Sequence, residues 1–245
     1  MADQFVIVWD LETVPDIPAS ARMLGLVGAS EEAVRAQLGP GFAKRPLHKI
    51  ACIGALVGRR TSAGWTVEAM GAPHIGDREE ADIIEAFVEK IRELRPQLIT
   101  FNGNSFDLPV LRYRAMIHRI PAPGLQARPY FNRYTEDALD LCDALASFDV
   151  HARIKLDEIS KILGLGGKPH GIDGAQVDTM VQAGHIVDVA NYCESDVLNT
   201  YRMWLIYELF RGTISRDQLA FSEAQLKTYI KEKRQSNPYL DHDAG

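Results

Sequence analysis

The clearest architectural signal in the chain is a short apolar run followed by two carboxylates, Phe5-Val6-Ile7-Val8-Trp9-Asp10-Leu11-Glu12. An uninterrupted apolar run of this length is typical of a buried β-strand, and we expect the strand to end at Asp10. Side chains two residues apart in an extended segment point to the same side, so Glu12 joins Asp10 while Leu11 points away. Asp10, at the end of a rigid strand, is therefore a candidate ligand for hard cations such as Mg²⁺, which bind oxygen.

The remaining sequence alternates strand and helix patterns, which predicts a single α/β domain. Residues 14–47 contain four prolines around one short helical pattern and are expected to form an insertion over one edge. We predict the main body of the domain at residues 1–211, which includes this insertion, and a helical extension of the same domain at 212–245. The predicted strands lie at residues 5–9, 50–58, 64–70, 97–101 and 137–141, and the predicted helices at 31–38, 78–94, 108–113, 156–163, 175–182, 186–210 and 215–234.

Composition and charge limit the class of protein. The chain has 245 residues, 46% of them hydrophobic, which is enough for one full core. No run approaches the roughly 18 apolar residues of a membrane span, and the acidic start predicts no signal peptide. The three cysteines are far apart in sequence and form no Cys-x-x-Cys pair, so we expect buried thiols in a reducing cytoplasm rather than disulfides or a zinc site.

Two further segments place acidic residues after apolar patterns. The first is Phe101-Asn102-Gly103-Asn104-Ser105-Phe106-Asp107, and the second runs from Tyr192 to Asp196. Tyr192 and Asp196 are four residues apart on a predicted helix, so they share one face and the phenol can stand beside the carboxylate. Four carboxylates, Asp10, Glu12, Asp107 and Asp196, are the ligand set that two divalent cations about 3.5–4 Å apart require for phosphodiester hydrolysis.

These three segments resemble the exonuclease motifs of the DEDD superfamily, whose fold is a ribonuclease H-like mixed five-stranded sheet flanked by helices. Tyr192, four residues before Asp196, matches the tyrosine branch, since the histidine branch would place a histidine where Asn191 stands. The second motif looks most like that of the proofreading exonuclease domain of family B DNA polymerases. No polymerase domain follows, so the chain resembles a free-standing relative of that domain over roughly residues 5–211.

The resemblance implies roles for matching residues. Two Mg²⁺ or Mn²⁺ ions would be held by the four carboxylates, with Asp10 bridging them, and Tyr192 would orient the attacking water. Leu11 and Thr13 would meet the 3′-terminal nucleotide, while Asn102 and Phe106 would lie along the bound strand.

Other polar residues favour more ordinary interpretations. Asp140 and Asp143 could be extra ligands, but helix capping or support of the ligands fits them better. Lys168 and His170 lie in a glycine-rich loop and could touch phosphate, although a solvated loop is the simpler interpretation. The other six histidines show no ligand spacing, and the three tryptophans lie in apolar patterns typical of a core.

Basic residues cluster locally although the net charge is −6. Solvated faces are the ordinary interpretation of such clusters, but they can also offset the charge of a nucleic acid. The clusters are Lys44-Arg45 with His48 and Lys49, Arg59-Arg60, and Arg112 with Arg114 and Arg119.

From the sequence we therefore expect a metal-dependent 3′-5′ exonuclease acting on 3′ ends of single-stranded DNA, with no membrane association. An exoribonuclease that trims RNA is the nearest alternative, because no motif reports on the sugar 2′ position. A catalytically silent module that binds nucleic acid or a polymerase is the alternative from another class, and the complete carboxylate set counts against it.

Overall fold

The structure is a computed structural model that describes residues 4–39, 41, 43–165 and 174–234. Its strands are β1 (Phe5–Pro15), β2 (His48–Arg60), β3 (Trp65–Gly71), β4 (Gln97–Thr100) and β5 (Ala138–Asp140). Its α-helices are α1 (Ile17–Leu24), α2 (Glu31–Leu38), α3 (Glu80–Leu94), α4 (Asp107–Ile117), α5 (Leu141–Leu145), α6 (Leu156–Ile162), α7 (Val177–Gln182), α8 (Ile186–Arg211) and α9 (Arg216–Arg234). Lys168 and His170 lie outside the described residues.

The strands form one mixed sheet of five in the order β3-β2-β1-β4-β5, which confirms the predicted sheet and fold class. The β1–β2 and β2–β3 pairs are antiparallel, whereas β1–β4 and β4–β5 are parallel. The prediction that β1 ends at Asp10 was wrong, because β1 stays paired with β2 as far as Pro15 and His48. Its pairing with β4 stops at Val8, however, so Asp10 and Glu12 lie where β1 has lost one neighbour.

Alternating residues of β1 enter different parts of the core. Ile7, Trp9 and Leu11 pack with the buried face of α3, whereas Val6 and Val8 pack with α8. This alternation follows from the two-residue period of a strand covered on both faces. All three tryptophans are buried in these clusters, as predicted.

The insertion contains a helix that the sequence analysis missed. Asp16 caps α1 by accepting a hydrogen bond from Ala19 N, and Pro18 occupies the first turn, where its missing N–H costs nothing. The helix predicted at residues 31–38 is present as α2. Arg35 of α2 forms an ion pair of 2.6 Å with Asp178 of α7, which ties the insertion to the body.

Arg114 is not part of a solvated face as its sequence cluster suggested. Its side chain is 3% exposed and donates to Asp16 and Glu80, both of them buried. Glu80 also accepts from Ile50 N of β2 at 2.7 Å. The guanidinium therefore joins α1, α3 and α4 through buried charges.

Helix α9 packs against β3 at the edge of the sheet. Ser222 Oγ accepts from Trp65 N, and Tyr229 Oη accepts from Met70 N, each at 2.9 Å. These bonds satisfy backbone groups that an edge strand would otherwise leave open. The division at residue 211 stays a prediction. No helix in the described part of the chain is both long and apolar enough to cross a membrane.

Candidate active site

Three carboxylates from opposite ends of the sequence meet beside β1. One oxygen from each of Asp10, Glu12 and Asp196 lies within 4.8 Å of the other two. Divalent cations bind oxygen at about 2.0–2.6 Å, so ligands around one ion are separated by no more than about 5 Å. The three carboxylates therefore fit a divalent cation, and without one their negative charges would repel each other in a partly buried place.

Close packing between α8 and β2 brings Asp196 to the strand. At Gly54 of β2, a Cβ atom would lie 2.7 Å from the sulfur of Cys193, so a larger residue would push the helix away. On the same side α8 buries Val197, Tyr201 and Trp204 completely in the core. The position of Asp196 is thus set by the close packing of this face of α8 on the sheet.

Asp107 lies apart from the cluster of three but is held against the same strand. It is the first residue of α4, and its Oδ1 accepts a hydrogen bond of 3.0 Å from Leu11 N, between the two β1 carboxylates. Burial raises the pKa of Asp107 to about 7, and the negative charge of Asp140 adds to the rise, whereas the backbone N–H donors oppose it. A group so placed can hold a second cation next to the first.

Tyr192 stands beside the carboxylates, as the four-residue spacing predicted. Its side chain is buried and hydrogen-bonds to Asp196. Burial raises the pKa of the Tyr192 phenol well above its usual value, and the negative charges of Asp196 and Glu12 add to the rise. The phenol therefore stays neutral and can donate a hydrogen bond.

Two cysteines that are remote in sequence lie under this site. Cys52 and Cys193 are buried free thiols, as predicted, and they hydrogen-bond to each other. The Cys193 sulfur also lies 3.6 Å from the backbone oxygen of Asp10 and 3.8 Å from Asp10 Oδ2. Their wide separation in sequence gave no hint of this proximity, which comes from the packing of α8 on β2.

Asp140 caps a helix and supports a loop, which agrees with the interpretation that was preferred from the sequence. It caps α5 by accepting from Cys142 N at 3.0 Å. It also accepts from Asn102 N at 2.7 Å and Asn104 N at 2.9 Å, which holds the loop between β4 and α4. Gly103 is required in this loop, because a Cβ there would lie 2.5 Å from Thr100. Asp143 is buried between the guanidinium groups of two arginines, Arg133 and Arg153.

A cleft of about 430 Å³ opens beside this loop. The cleft is lined by Ala43, Lys44, Arg45, Asn102, Ser105 and Phe106. Four residues were implied to contact substrate. Two of them, Asn102 and Phe106, line the cleft. Thr13 is half-buried, and Leu11 is only 4% exposed and packs in the core. Leu11 thus has little side-chain surface to offer a substrate, and its backbone N–H is already donated to Asp107.

His48 is the residue that the sequence analysis overlooked. Its Nδ1 lies 2.9 Å from Thr13 Oγ1, and its Nε2 lies 3.0 Å from the backbone oxygen of Ala43. Its ring meets that of Phe106 edge-on, with centroids 5.0 Å apart. The sequence signal was its position at the start of β2 beside a basic pair, and this signal becomes informative only once the pairing with β1 is known.

Comparison with known proteins gives one family and one fold. A family model described as "Predicted 3'-5' exonuclease related to the exonuclease domain of PolB" matches residues 40–243, a span that contains Asp107, Tyr192 and Asp196 but not Asp10 or Glu12. The family B DNA polymerase from the hyperthermophilic archaeon Pyrobaculum calidifontis is similar in structure, with a TM-score of 0.56 and 17% identity. The match covers 84% of this chain and 24% of that polymerase. No curated protein matches this sequence.

Proposed function

The chain belongs to the family of predicted 3′-5′ exonucleases related to the exonuclease domain of PolB, and we propose that it removes nucleotides one at a time from the 3′ end of single-stranded DNA. In this reaction a water oxygen bonds to the last phosphorus and the bond to the preceding 3′ oxygen breaks. The products are a nucleoside 5′-monophosphate and a shortened strand with a new 3′-hydroxyl group.

The convergence of Asp10, Glu12 and Asp196 within 4.8 Å is the observation that carries this proposal. These three would hold one divalent cation, Mg²⁺ or Mn²⁺, and Asp10 together with Asp107 would hold a second. Two such cations supply a nucleophile from water at neutral pH and stabilise the departing alkoxide. A silent binding module has no need for such a costly group of like charges in a partly buried place.

Tyr192 is proposed to orient the attacking water. Its hydroxyl is neutral because burial and the nearby carboxylates raise the pKa of the phenol. A neutral phenol is a poor ligand for a hard cation but a good hydrogen-bonding partner for water. Tyr192 would therefore hydrogen-bond the attacking water, while Asp196, to which it is hydrogen-bonded, would hold the cation.

Single-stranded DNA is the proposed substrate, and the cytoplasm is the proposed location. The cleft beside Asp107 combines two cationic residues with the aromatic ring of Phe106, a pairing typical of sites that bind single strands. RNA is the alternative substrate, and the experiment below compares the two.

Digestion of end-labelled oligonucleotides tests the proposal. Single-stranded DNA, RNA and blunt duplex DNA with a 5′ label are incubated with Mg²⁺, Mn²⁺ or excess chelator. We expect a ladder that shortens from the 3′ end of single-stranded DNA, faster than with RNA or duplex, and no product with chelator. Activity in chelator, or early release of the labelled 5′ nucleotide, would overturn the proposal.

Asp10→Ala provides the matched site test, because it removes the ligand shared by both ions. We expect this variant to lose more activity than any other single ligand variant. Asp157→Ala is a suitable control, since Asp157 is a carboxylate on α6 whose ion pair with Lys161 lies at the surface. Near wild-type activity of Asp10→Ala at saturating Mg²⁺ would show that the site is wrongly assigned.

A further inference from the structure

The cleft between the end of the insertion and the β4–α4 loop has a composition that points to one class of ligand. Lys44 and Arg45 are exposed on one wall, and Asn102, Ser105 and Phe106 form the other. Two cations, an amide, a hydroxyl and an aromatic ring suit a ligand that carries both a phosphate and a planar base.

The positive charge of the cleft is available to a ligand. No carboxylate pairs with Lys44 anywhere in residues 4–39, 41, 43–165 and 174–234. Arg45 donates from Nε to the backbone oxygen of Ser105, which fixes its guanidinium across the cleft. A backbone carbonyl does not neutralise the guanidinium, so the arginine keeps its full charge at the mouth.

One wall of the cleft adjoins the candidate metal site along the chain. Phe106 is followed directly by Asp107, whose carboxylate is bonded to β1 between Asp10 and Glu12. A strand whose last phosphate lies at the carboxylates can therefore place an adjoining nucleotide beside Phe106. The insertion, whose role the sequence did not reveal, thereby becomes one wall of the path taken by the strand.

His48 connects the walls of this cleft. Ala43 offers only a carbonyl, so His48 Nε2 must carry the proton and donate to it. The other nitrogen, Nδ1, then accepts from the hydroxyl of Thr13. Burial lowers the pKa of the His48 imidazole, which agrees with the neutral ring that these two bonds require. The ring also packs edge-on against Phe106.

We propose that residues 43–45 and 102–106 form a subsite for an internal nucleotide of the single strand, in which Lys44 and Arg45 bind backbone phosphate. His48 is the positioning residue that holds residues 43–45, the basic wall of the cleft, opposite Phe106. This inference rests on the proposed function for the nature of the strand, but it assigns a task to the insertion that the carboxylate site does not require.

The salt dependence of binding tests the phosphate contacts directly. Each phosphate contact with a single strand contributes about 0.7 to the slope of log affinity against log salt. Binding of a fluorescent single-stranded DNA of 12 nucleotides is measured by anisotropy across a KCl series in Ca²⁺. We expect Lys44→Ala to reduce the slope by about 0.7 and to weaken binding about fivefold at 0.1 M KCl. Lys227→Ala, which removes an exposed cation from α9, should leave the slope unchanged.

His48→Phe separates positioning from simple folding. Phenylalanine keeps a ring against Phe106 but loses both hydrogen bonds, so the basic wall is released. We expect a loss of salt slope at least as large as in Lys44→Ala, a higher KM and an unchanged kcat. The Lys44→Ala, His48→Phe double variant should show no further loss relative to His48→Phe, because release of the wall already removes the Lys44 contact. A purely structural histidine would lower the melting temperature without moving the slope.

The outcomes distinguish this inference from the proposed function. If both Lys44→Ala and His48→Phe keep the salt slope of the unaltered protein and hydrolysis is intact, the subsite is overturned and the proposed exonuclease activity stands. If both variants reduce the salt slope but the protein hydrolyses no single strand that it binds, the subsite is supported and the exonuclease activity is overturned. Equal losses in Lys227→Ala would show that only overall charge matters, which would also overturn the subsite.

Discussion

Tyr192→Phe tests the chemistry of the site with the smallest possible change. The substitution removes one oxygen from a buried side chain and keeps its ring in place on α8. That oxygen hydrogen-bonds to the carboxylate of Asp196. We expect metal binding and DNA binding to persist, because no metal ligand is altered.

The expected size of the effect follows from the interaction that is lost. A hydrogen bond to a charged group contributes about 1.5–3 kcal/mol. If the transition state requires all of it, the chemical step slows by about 10-fold to 160-fold, since each 1.36 kcal/mol corresponds to a factor of ten. Asp196→Asn should instead weaken metal binding as well as the rate, because Asp196 is one of the three clustered carboxylates.

Tyr201→Phe is the matched control for this experiment. Tyr201 lies on the same helix and is fully buried, but within the described part of the chain its hydroxyl has no hydrogen-bond partner. Removing that hydroxyl should leave the rate unchanged and the stability equal or higher. Single-turnover kinetics and calorimetric titration with Mn²⁺ would be measured on all three variants. If Tyr192→Phe lost metal binding as severely as Asp196→Asn, or kept full activity, the role assigned to Tyr192 would be refuted.

Further predictions concern metal binding and the buried charges. Burial raises the pKa of Asp107 to about 7, so a proton competes with the second cation below that pH. Calorimetry should show Mg²⁺ affinity falling from pH 7 to pH 5. Asp107→Asn should remove much of this pH dependence, and an identical pH profile in the variant would contradict the role assigned to Asp107. Mg²⁺ should raise the free energy of unfolding by about 2.7 kcal/mol at a hundredfold excess over Kd, because it neutralises the converging carboxylates. The melting temperature should rise accordingly, and chelator should reverse the gain. An unchanged melting temperature at saturating Mg²⁺ would count against the metal site. Arg114→Met should destabilise the fold by about 3–5 kcal/mol, because it removes the guanidinium from between the buried Asp16 and Glu80, and only Glu80 keeps a contact with His118, 2.7 Å away. Arg112→Met, at the surface, should cost far less in urea unfolding, and equal midpoints for the two variants would refute this.

Local patterns predicted most of the elements because each depends on nearby residues. In α3 the apolar residues at helical spacing, Ile83, Ile84, Phe87, Val88 and Ile91, are all buried, so periodicity was sufficient there. The four carboxylates were likewise recognisable, because each follows a strong strand or helix signal. The structure brings three of them together as a group and holds Asp107 against the same strand.

Features that depend on pairing between distant segments could not be predicted in this way. The extension of β1 to Pro15 requires β2 as its partner, and no signal within residues 10–15 reveals it. The proximity of Cys52 to Cys193 depends on how closely α8 approaches Gly54. His48 joins Thr13 to Ala43 only after the insertion has folded back. Each is a contact whose partner lies elsewhere in the chain, and hydrophobic periodicity carries no information about such contacts.

The split origin of the carboxylate cluster has a consequence for the protein during its own synthesis. Asp10 and Glu12 leave the ribosome well before Asp196, which follows only with α8. Chains are made at about 5–20 residues per second, so for roughly 10–40 s the nascent protein holds two ligands of a three-ligand group. During that interval it carries no assembled cluster of the three carboxylates. The order of synthesis itself therefore delays the assembly of the cluster until α8 has been made.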